Sequence, residues 1–122
     1  MTITQLLNKC FEVRDQIHYW HLQTKSYAEH MALGKFYDEW LSLTDQFIET
    51  FQGRYAYVTG DLEIKLTSYT QQGQSQTYLK SILVFLQGDA RKVTYAIDTD
   101  LNNILDEMQG LTSQTIFLLN LK

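Results

Sequence analysis

Apolar side chains recur at helical spacing in four stretches of the chain. With about 3.6 residues per turn, residues three or four apart share one face of a helix. The predicted helices cover residues 3–23 and 27–52, a third begins at Ser75 and is interrupted at Gly88, and a fourth ends at Leu119. Their apolar positions are Ile3, Leu6, Leu7, Cys10, Phe11, Ile17 and Trp20; Leu33, Phe36, Tyr37, Trp40, Leu43, Phe47 and Phe51; Tyr78, Leu79, Ile82, Leu83 and Leu86; and Leu101, Ile104, Leu105, Met108, Leu111, Leu118 and Leu119. The pattern predicts an all-α protein.

Residues typical of helix ends support these boundaries. Ser26 followed by Glu29 fits a capping box, in which the hydroxyl accepts from an early amide and the carboxylate reaches back. Gly53 is a natural stop for the second helix. Asp98 or Thr99 can cap the fourth helix.

The stretch from 54 to 74, between the second and third helices, has a different pattern. Leu62, Ile64 and Leu66 alternate with polar residues as in a strand, but a lone strand has nothing to pair with. We therefore predict a long crossover that holds one short helix and closes in a glutamine-rich turn around Gly73. Two helices, a long crossover and two more helices predict a ferritin-like four-helix bundle, forming a single domain over residues 1–122.

Composition and charge narrow the class of partner. The formal net charge of −4 argues against a nucleic-acid or membrane-surface binder, since both need a basic footprint. The single cysteine, Cys10, permits no intrachain disulfide, which suits a reducing compartment. No apolar run approaches the roughly 20 residues that cross a bilayer. We expect a soluble, cytoplasmic protein with no membrane partner.

The residues that could hold a metal ion lie in one part of the chain. All three histidines fall between residues 18 and 30, and carboxylates follow on the second predicted helix. Histidine and carboxylate are ligands that suit iron, zinc and manganese. The candidate positions are His18, His21, His30, Asp38, Glu39, Asp45 and Glu49.

The helical wheel decides where the carboxylates of the second helix point. At about 100° per residue, Asp38, Asp45 and Glu49 lie about 150° from the centre of the apolar stripe. They therefore face water or another subunit rather than the core. Asp45 and Glu49 are one turn apart and can approach one ion, but a complete site needs ligands from elsewhere, and a second copy of the chain is the natural supplier.

A di-iron site at the centre of the bundle is not expected. Such a site uses a Glu-x-x-His pair on each of two helices. The chain contains no Glu-x-x-His, and its second half contains no histidine. Asp15-x-x-His18 is only a faint imitation of that motif.

Several short segments together resemble a known family. They are His21-Leu-Gln-Thr-Lys-Ser, Tyr27-Ala-Glu-His30, Phe36-Tyr37-Asp38-Glu39, Asp45-x-x-x-Glu49, Leu105-Asp106-Glu107-Met108 and Phe117-Leu118-Leu119. These segments resemble the first two helices and the last helix of Dps, the DNA-binding protein from starved cells, within the ferritin-like superfamily. The chain is more similar still to small uncharacterised ferritin-like proteins encoded by tailed bacteriophages.

The resemblance implies a set of metal ligands shared by two subunits. In Dps, one subunit supplies a histidine from each of its first two helices and an Asp one turn after the second, and the other supplies an Asp-x-x-x-Glu pair. By this resemblance His21 and His30 are the histidines, and Asp45 and Glu49 are the acids of the partner subunit.

The chain departs from that pattern at one residue and in one spacing. Gly34 stands where the family has its Asp, so that ligand is missing unless Asp38 substitutes for it. The connection between His21 and His30 is also shorter than in the family. His18 would restore the spacing to His30, although the residues that follow His18 match less well, and both assignments stay open.

The resemblance implies a homo-oligomer, either a dimer or a larger shell, that holds iron or another divalent metal. Iron(II) at the shared site would pass electrons to peroxide or dioxygen, as in a ferroxidase. DNA binding is not expected, because Met1 to Thr4 carries none of the basic side chains that many Dps proteins use on DNA. The alternative is a non-enzymatic structural protein without a metal, whose partner is a host protein.

Overall fold

The computed structural model describes residues 1–121 and is built from helices. The α-helices are α1 (Ile3–Gln23), α2 (Tyr27–Arg54), α3 (Gln74–Gln87) and α4 (Thr99–Leu119), and a 3-10 helix at Asp89–Val93 precedes α4. No β-strand occurs in this part of the chain. The predicted all-α class and the four helices are confirmed, and their bounds lie close to those expected from periodicity.

The four helices enclose one apolar core. α1 packs against α2 and α3, and α4 packs against the other sides of the same two helices. Every helix contributes fully buried side chains from its predicted stripe, among them Leu6, Ile17, Leu33, Phe36, Trp40, Phe47, Leu79, Ile82, Leu86, Leu101, Leu105 and Met108, and Val13 of α1 is buried with them although it was not predicted. No helix within residues 1–121 is long and apolar enough to cross a membrane.

The start of α2 follows half of the predicted capping box. The Ser26 hydroxyl accepts from the Glu29 amide at 3.2 Å, as expected of an N-cap. The Glu29 carboxylate does not return to Ser26. It accepts instead from the hydroxyls of Thr24 and Tyr69, the latter at 2.9 Å, and so ties the α1–α2 turn to the segment before α3.

Asp98 stands at the predicted cap position of α4, but its side chain has another role. The carboxylate is fully buried and does not cap the helix. It accepts from the Tyr55 hydroxyl at 2.7 Å, the Tyr95 amide at 2.9 Å and Arg54 Nε at 3.1 Å. The hydrogen bond from Tyr55, followed by those from Tyr95 and Arg54, holds the pKa of Asp98 below its ordinary value. Asp98 thus joins the end of α2 to the start of α4.

The connection between α2 and α3 contains no helix, so the short helix predicted there is wrong. Residues 59–69 instead lie along α1, and we call this segment the strap. Its backbone is held by polar side chains of α1. Thr4 Oγ1 donates to the Thr59 carbonyl (2.7 Å), and Gln23 Oε1 accepts from the Tyr69 amide (2.8 Å). Asn8 donates to the Glu63 carbonyl (2.9 Å) and accepts from the Glu63 amide (2.7 Å), and Gln16 does the same with Thr67 (2.9 and 2.8 Å).

The spacing of these bonds shows why the strap is extended. Asn8 and Gln16 lie about 12 Å apart along the helix at 1.5 Å per residue. Their partners Glu63 and Thr67 are separated by about 13 Å if the strap is fully extended at 3.3 Å per residue. Asn8 and Gln16 each donate to a carbonyl and accept from the amide of the same strap residue. An amide side chain therefore takes the place that a neighbouring strand would hold.

Candidate functional site

The short turn between α1 and α2 brings two of the predicted ligands together. His21 lies in the last turn of α1 and His30 in the first turn of α2. Their rings stack with centroids 3.8 Å apart and planes 16° apart. The two histidines that the resemblance implies are therefore neighbours within one subunit, and we call them the histidine pair.

Each ring of the histidine pair binds the backbone of the other residue. His21 Nδ1 lies 2.6 Å from the His30 carbonyl oxygen, and His30 Nδ1 lies 2.8 Å from the His21 carbonyl oxygen. The His21 carbonyl is among the last of α1, which have no partner within their own helix, so the His30 ring satisfies it.

These bonds fix the tautomer of both rings. A carbonyl oxygen only accepts, so each Nδ1 carries the proton and donates. In the neutral ring the lone pair is then on Nε2, which can bind a metal ion. Histidines that bind metals are commonly oriented by such a bond from their other ring nitrogen to a backbone carbonyl.

Gly34 lies directly against the His21 ring. A Cβ atom at position 34 would stand 2.9 Å from His21 Cε1 and 3.2 Å from His21 Nδ1. Any larger side chain would displace the ring and its bond to the His30 carbonyl. Gly34, at the position where the resemblance to Dps implies an Asp, is thus part of the packing that holds the histidine pair.

The third histidine extends the same cluster. His18 is exposed and stacks on the Tyr37 ring at 4.2 Å, with the planes 13° apart. Tyr37 also presents its ring to His21 at 5.3 Å, and the His18 and His21 centroids are 6.1 Å apart. His18 therefore lies on the outer side of the pair but does not replace His21 in the contact with His30.

The predicted acids lie on α2, the helix that carries His30, but far from the histidine pair. Asp38, Asp45 and Glu49 are all exposed, on the outward face that the wheel predicts. At 1.5 Å per residue, Asp38 lies about 12 Å and Asp45 about 22 Å along α2 from His30. In residues 1–121, no group of three or more His, Cys, Asp or Glu side chains is close enough to hold a metal ion. At the histidine pair, one subunit therefore offers two imidazole nitrogens and no carboxylate.

The donor set fits a divalent transition metal only if further ligands come from another molecule. Two oriented imidazoles suit iron, zinc or manganese, but such ions take four or more ligands. Cys10 cannot contribute, because its thiol is buried in the core and burial raises its pKa to about 12. Exposed carboxylates of a second subunit are the donors that remain.

Sequence reasoning found both members of the histidine pair but missed how they are held. The reciprocal bonds to backbone carbonyls depend on the geometry of the turn, which periodicity does not give. One sequence signal was available. Gly34 lies inside an otherwise strongly helix-forming segment, and a glycine at such a position often has a packing reason. Tyr37, which contacts both His18 and His21, was assigned only to the core.

A separate cleft opens at the same end of the bundle. It has a volume of about 840 Å³ and lies between the α1–α2 turn, the end of the strap and the last turn of α4. Its polar lining includes Lys25, Glu29, Tyr69 and Gln76. Burial, and then the neighbouring Glu29, raise the pKa of the Tyr69 hydroxyl. Because Tyr69 and Thr24 already donate to the Glu29 carboxylate, that acid serves the fold.

A family model described as "Family of unknown function (DUF5856)" matches residues 21–119. The matched region includes the histidine pair, Gly34 and all the predicted acids. No curated protein and no solved structure matches the chain.

Proposed function

The chain belongs to the DUF5856 family, whose function is unknown, and from its own residues we propose that it is a ferritin-like, oligomeric protein that binds iron or a similar divalent metal between two subunits. The observation that carries this proposal is the histidine pair. Both Nδ1 atoms donate to backbone carbonyls, so in the neutral rings the lone pair of each is on Nε2, the atom that would bind a metal ion.

The order of the helices supports the ferritin-like arrangement. α2 ends beside the start of α1, and the strap then follows α1 from Thr4 to Gln23 before α3 begins. A long connection that returns the chain along the bundle between the second and third helices is the feature that sets ferritin-like bundles apart from simple up-and-down bundles.

A two-fold dimer is compatible with a shared site. In an antiparallel dimer of α2 about a two-fold axis near Tyr37 and Asp38, His30 of one subunit lies opposite Asp45 of the partner subunit, because the two are equally distant from the axis. Glu49 of the partner subunit follows one turn later. The contact is self-complementary, since each subunit offers histidines at one end of the face and acids at the other.

The chain's own residues prepare this site. The carbonyl bonds hold the two imidazoles in a fixed orientation and tautomer, and Gly34 leaves room for the His21 ring. The exposed carboxylates of α2 attract cations to the face. Iron(II) bound there as a substrate would be oxidised to iron(III) by peroxide or dioxygen.

The proposal is tested by titrating the wild-type protein, His30→Ala and Asp45→Ala with iron(II) under anaerobic conditions. Both substitutions should weaken binding by at least the 10–100-fold seen when even supporting residues are lost. Glu107→Ala removes the same charge from an exposed position of α4 and should bind like the wild type. Equal, weak binding in all four proteins would refute a shared site.

A mixing experiment separates a shared site from a site within one subunit. A dimer of one His30→Ala chain and one Asp45→Ala chain contains one intact site and one doubly altered site. After exchange of subunits, the mixture should recover about one quarter of the wild-type sites. If binding by the mixture is no stronger than that of the separate variants, the two residues do not act across an interface.

A second candidate is favoured by the same contacts. The reciprocal bonds and the Gly34 packing already tie α1 to α2 without a metal, so the histidine pair can serve as a structural clasp in a protein that binds another protein. Under this alternative, iron stays at background after loading in air, and His30→Ala lowers stability alone. Metal content and the unfolding midpoint of His30→Ala, measured together, decide between the two.

A further inference from the structure

Between residues 62 and 66, one backbone edge of the strap makes no hydrogen bond to any of residues 1–121. In an extended chain, the amide and carbonyl groups of alternate residues point to opposite sides. Glu63 and Thr67 point both groups at α1, and Tyr69 points its amide there. The alternate residues Leu62, Ile64 and Leu66 have neither amide nor carbonyl hydrogen-bonded to any of residues 1–121. A row of unpaired backbone groups therefore faces away from α1.

This edge is accessible. Leu62 and Leu66 are 36% and 39% exposed, Ile64 is half-buried, and Glu63 and Lys65 are exposed. An exposed extended edge is a template for a further strand, because main-chain hydrogen bonds to an added segment satisfy its free groups. The sequence of the added segment must then suit the side chains on both faces.

The strap itself has such a sequence. The segment Leu62-Glu63-Ile64-Lys65-Leu66 is self-complementary when it is reversed about Ile64. We propose that a second copy of the chain docks on this edge, so that the two straps pair antiparallel about a two-fold axis at Ile64. Leucine then lies opposite leucine, isoleucine opposite isoleucine, and each Glu63 opposite Lys65 of the partner subunit.

The geometry of an antiparallel pair satisfies the free groups. Residues 62, 64 and 66 become the hydrogen-bonded positions, which gives about six N–H···O=C bonds between the two straps. Glu63 and Lys65 occupy the positions between, where opposing side chains come closest and opposite charges stabilise the pair. The apolar side chains of both straps share one face of the pair.

This interface is independent of the proposed metal site, which uses the exposed face of α2. Both can therefore be tested in one background. The tests below use the Asp45→Ala chain with a chelator present, which removes the proposed metal interface. Failure of the strap pairing therefore leaves the proposed function untouched, and failure of the proposed function leaves the strap pairing untouched.

Charge reversal tests the register of the pairing. Glu63→Lys alone places lysine opposite lysine, and Lys65→Glu alone places glutamate opposite glutamate. Each should weaken self-association about tenfold in sedimentation equilibrium. The double variant should restore association, and an equimolar mixture of the two single variants should form the mixed dimer. Both side chains are exposed, so circular dichroism should show unchanged helix. Association that stays the same in every variant would overturn the proposal.

A cross-link gives a second, independent readout. Across the two-fold axis, the Cα atoms of Ile64 and of Ile64 of the partner subunit would lie about 5.5 Å apart, within the range of about 4.4–6.8 Å for a disulfide. Ile64→Cys should therefore form a covalent dimer on mild oxidation. The matched control is Leu62→Cys, whose sulfur would lie about 13 Å or more from its own copy and should stay monomeric. Equal cross-linking of both variants, or of neither, would refute the register.

Discussion

The two sides of α1 are attached to the rest of the molecule by different forces. On one side, Leu6, Val13 and Ile17 are buried in the apolar core. On the other, Asn8 and Gln16 bind the backbone of the strap through paired hydrogen bonds. Apolar burial is non-directional and tolerates small shifts, whereas the amide contacts are correct in only one register. The core thus supplies most of the stability, and the amide contacts decide where the strap lies.

The largest effect should come from the core. Leu105→Ala removes a fully buried side chain of α4 and should destabilise the protein by about 2–5 kcal/mol through the cavity it leaves. Urea denaturation measures this, with Val84→Ala, at a 68% exposed position, as the matched control. Similar denaturation midpoints for the two variants would show that the bundle is packed differently.

Asp98 combines both kinds of force in one residue, because its carboxylate is buried and also hydrogen-bonded. Its pKa in the folded protein lies below the ordinary value of 3.8. Its contribution to stability is therefore complete above that value and is lost as the pH falls through the lower, folded-state pKa. Asp98→Asn should shift the urea midpoint at neutral pH by less than Leu105→Ala and by more than an exposed strap contact.

Below about pH 4, the wild type should lose the advantage that Asp98 provides, and the two unfolding curves should converge. Measuring the urea midpoint from pH 6 to pH 3 tests this directly. A difference between wild type and Asp98→Asn that stays constant over this range would mean that the carboxylate does not titrate as the contacts require.

The amide contacts should cost less to break. Gln16→Ala removes the acceptor of the Thr67 amide and one of the two donors to its carbonyl, the other being Trp20 Nε1, and two net hydrogen bonds correspond to about 1–2 kcal/mol. Hydrogen exchange should also accelerate at the Thr67 amide while the core amides of α4 change little. Gln46→Ala, at an exposed position of α2, is the control. Uniform acceleration across all helices would show that the strap and the core open together.

The smallest effect is expected where the strap contributes only its backbone. Glu63→Ala keeps the amide and carbonyl that Asn8 binds, so stability should change by no more than about 0.5 kcal/mol. Asn8→Ala removes the other half of the same contact and should cost more. If Glu63→Ala unfolds at a lower temperature than Asn8→Ala, the contact depends on the Glu63 side chain.

The same difference in forces explains what could be predicted. Stripes such as Leu101, Leu105 and Met108 identify a buried helical face because their period is a local property. The strand-like alternation of Leu62, Ile64 and Leu66 was set aside for a short helix because no partner strand was found. The partners of this segment, which bind at Glu63 and Thr67, are side chains of α1, about half the chain away. The available signal for such a partner was Gln16, a polar residue at helical spacing from the apolar Val13 and Trp20.

For the candidate site, residue types were predictable and their arrangement was not. The outward direction of Asp45 and Glu49 followed from the helical wheel. The reciprocal bonds of the histidine pair depend on how the turn at residues 24–26 sets the two helix ends. Those bonds, and the contact of Gly34 with His21, result from packing between helices. Whether a second subunit completes the site stays a prediction.

The parallel course of the strap and α1 has a consequence for the folding pathway. The contacts join residues separated by 55 positions at Asn8, 51 at Gln16 and 46 at Gln23. Closing a first loop of about 50 residues costs about 3.5 kcal/mol of chain entropy, plus a constant. Every later contact closes only the few residues that separate it from its neighbour. Formation of the α1–α2 hairpin removes most of this entropy first, because it places the end of α2 beside the start of α1. The strap should then attach in order along the chain, from Thr59 to Tyr69, each contact closing only a few residues.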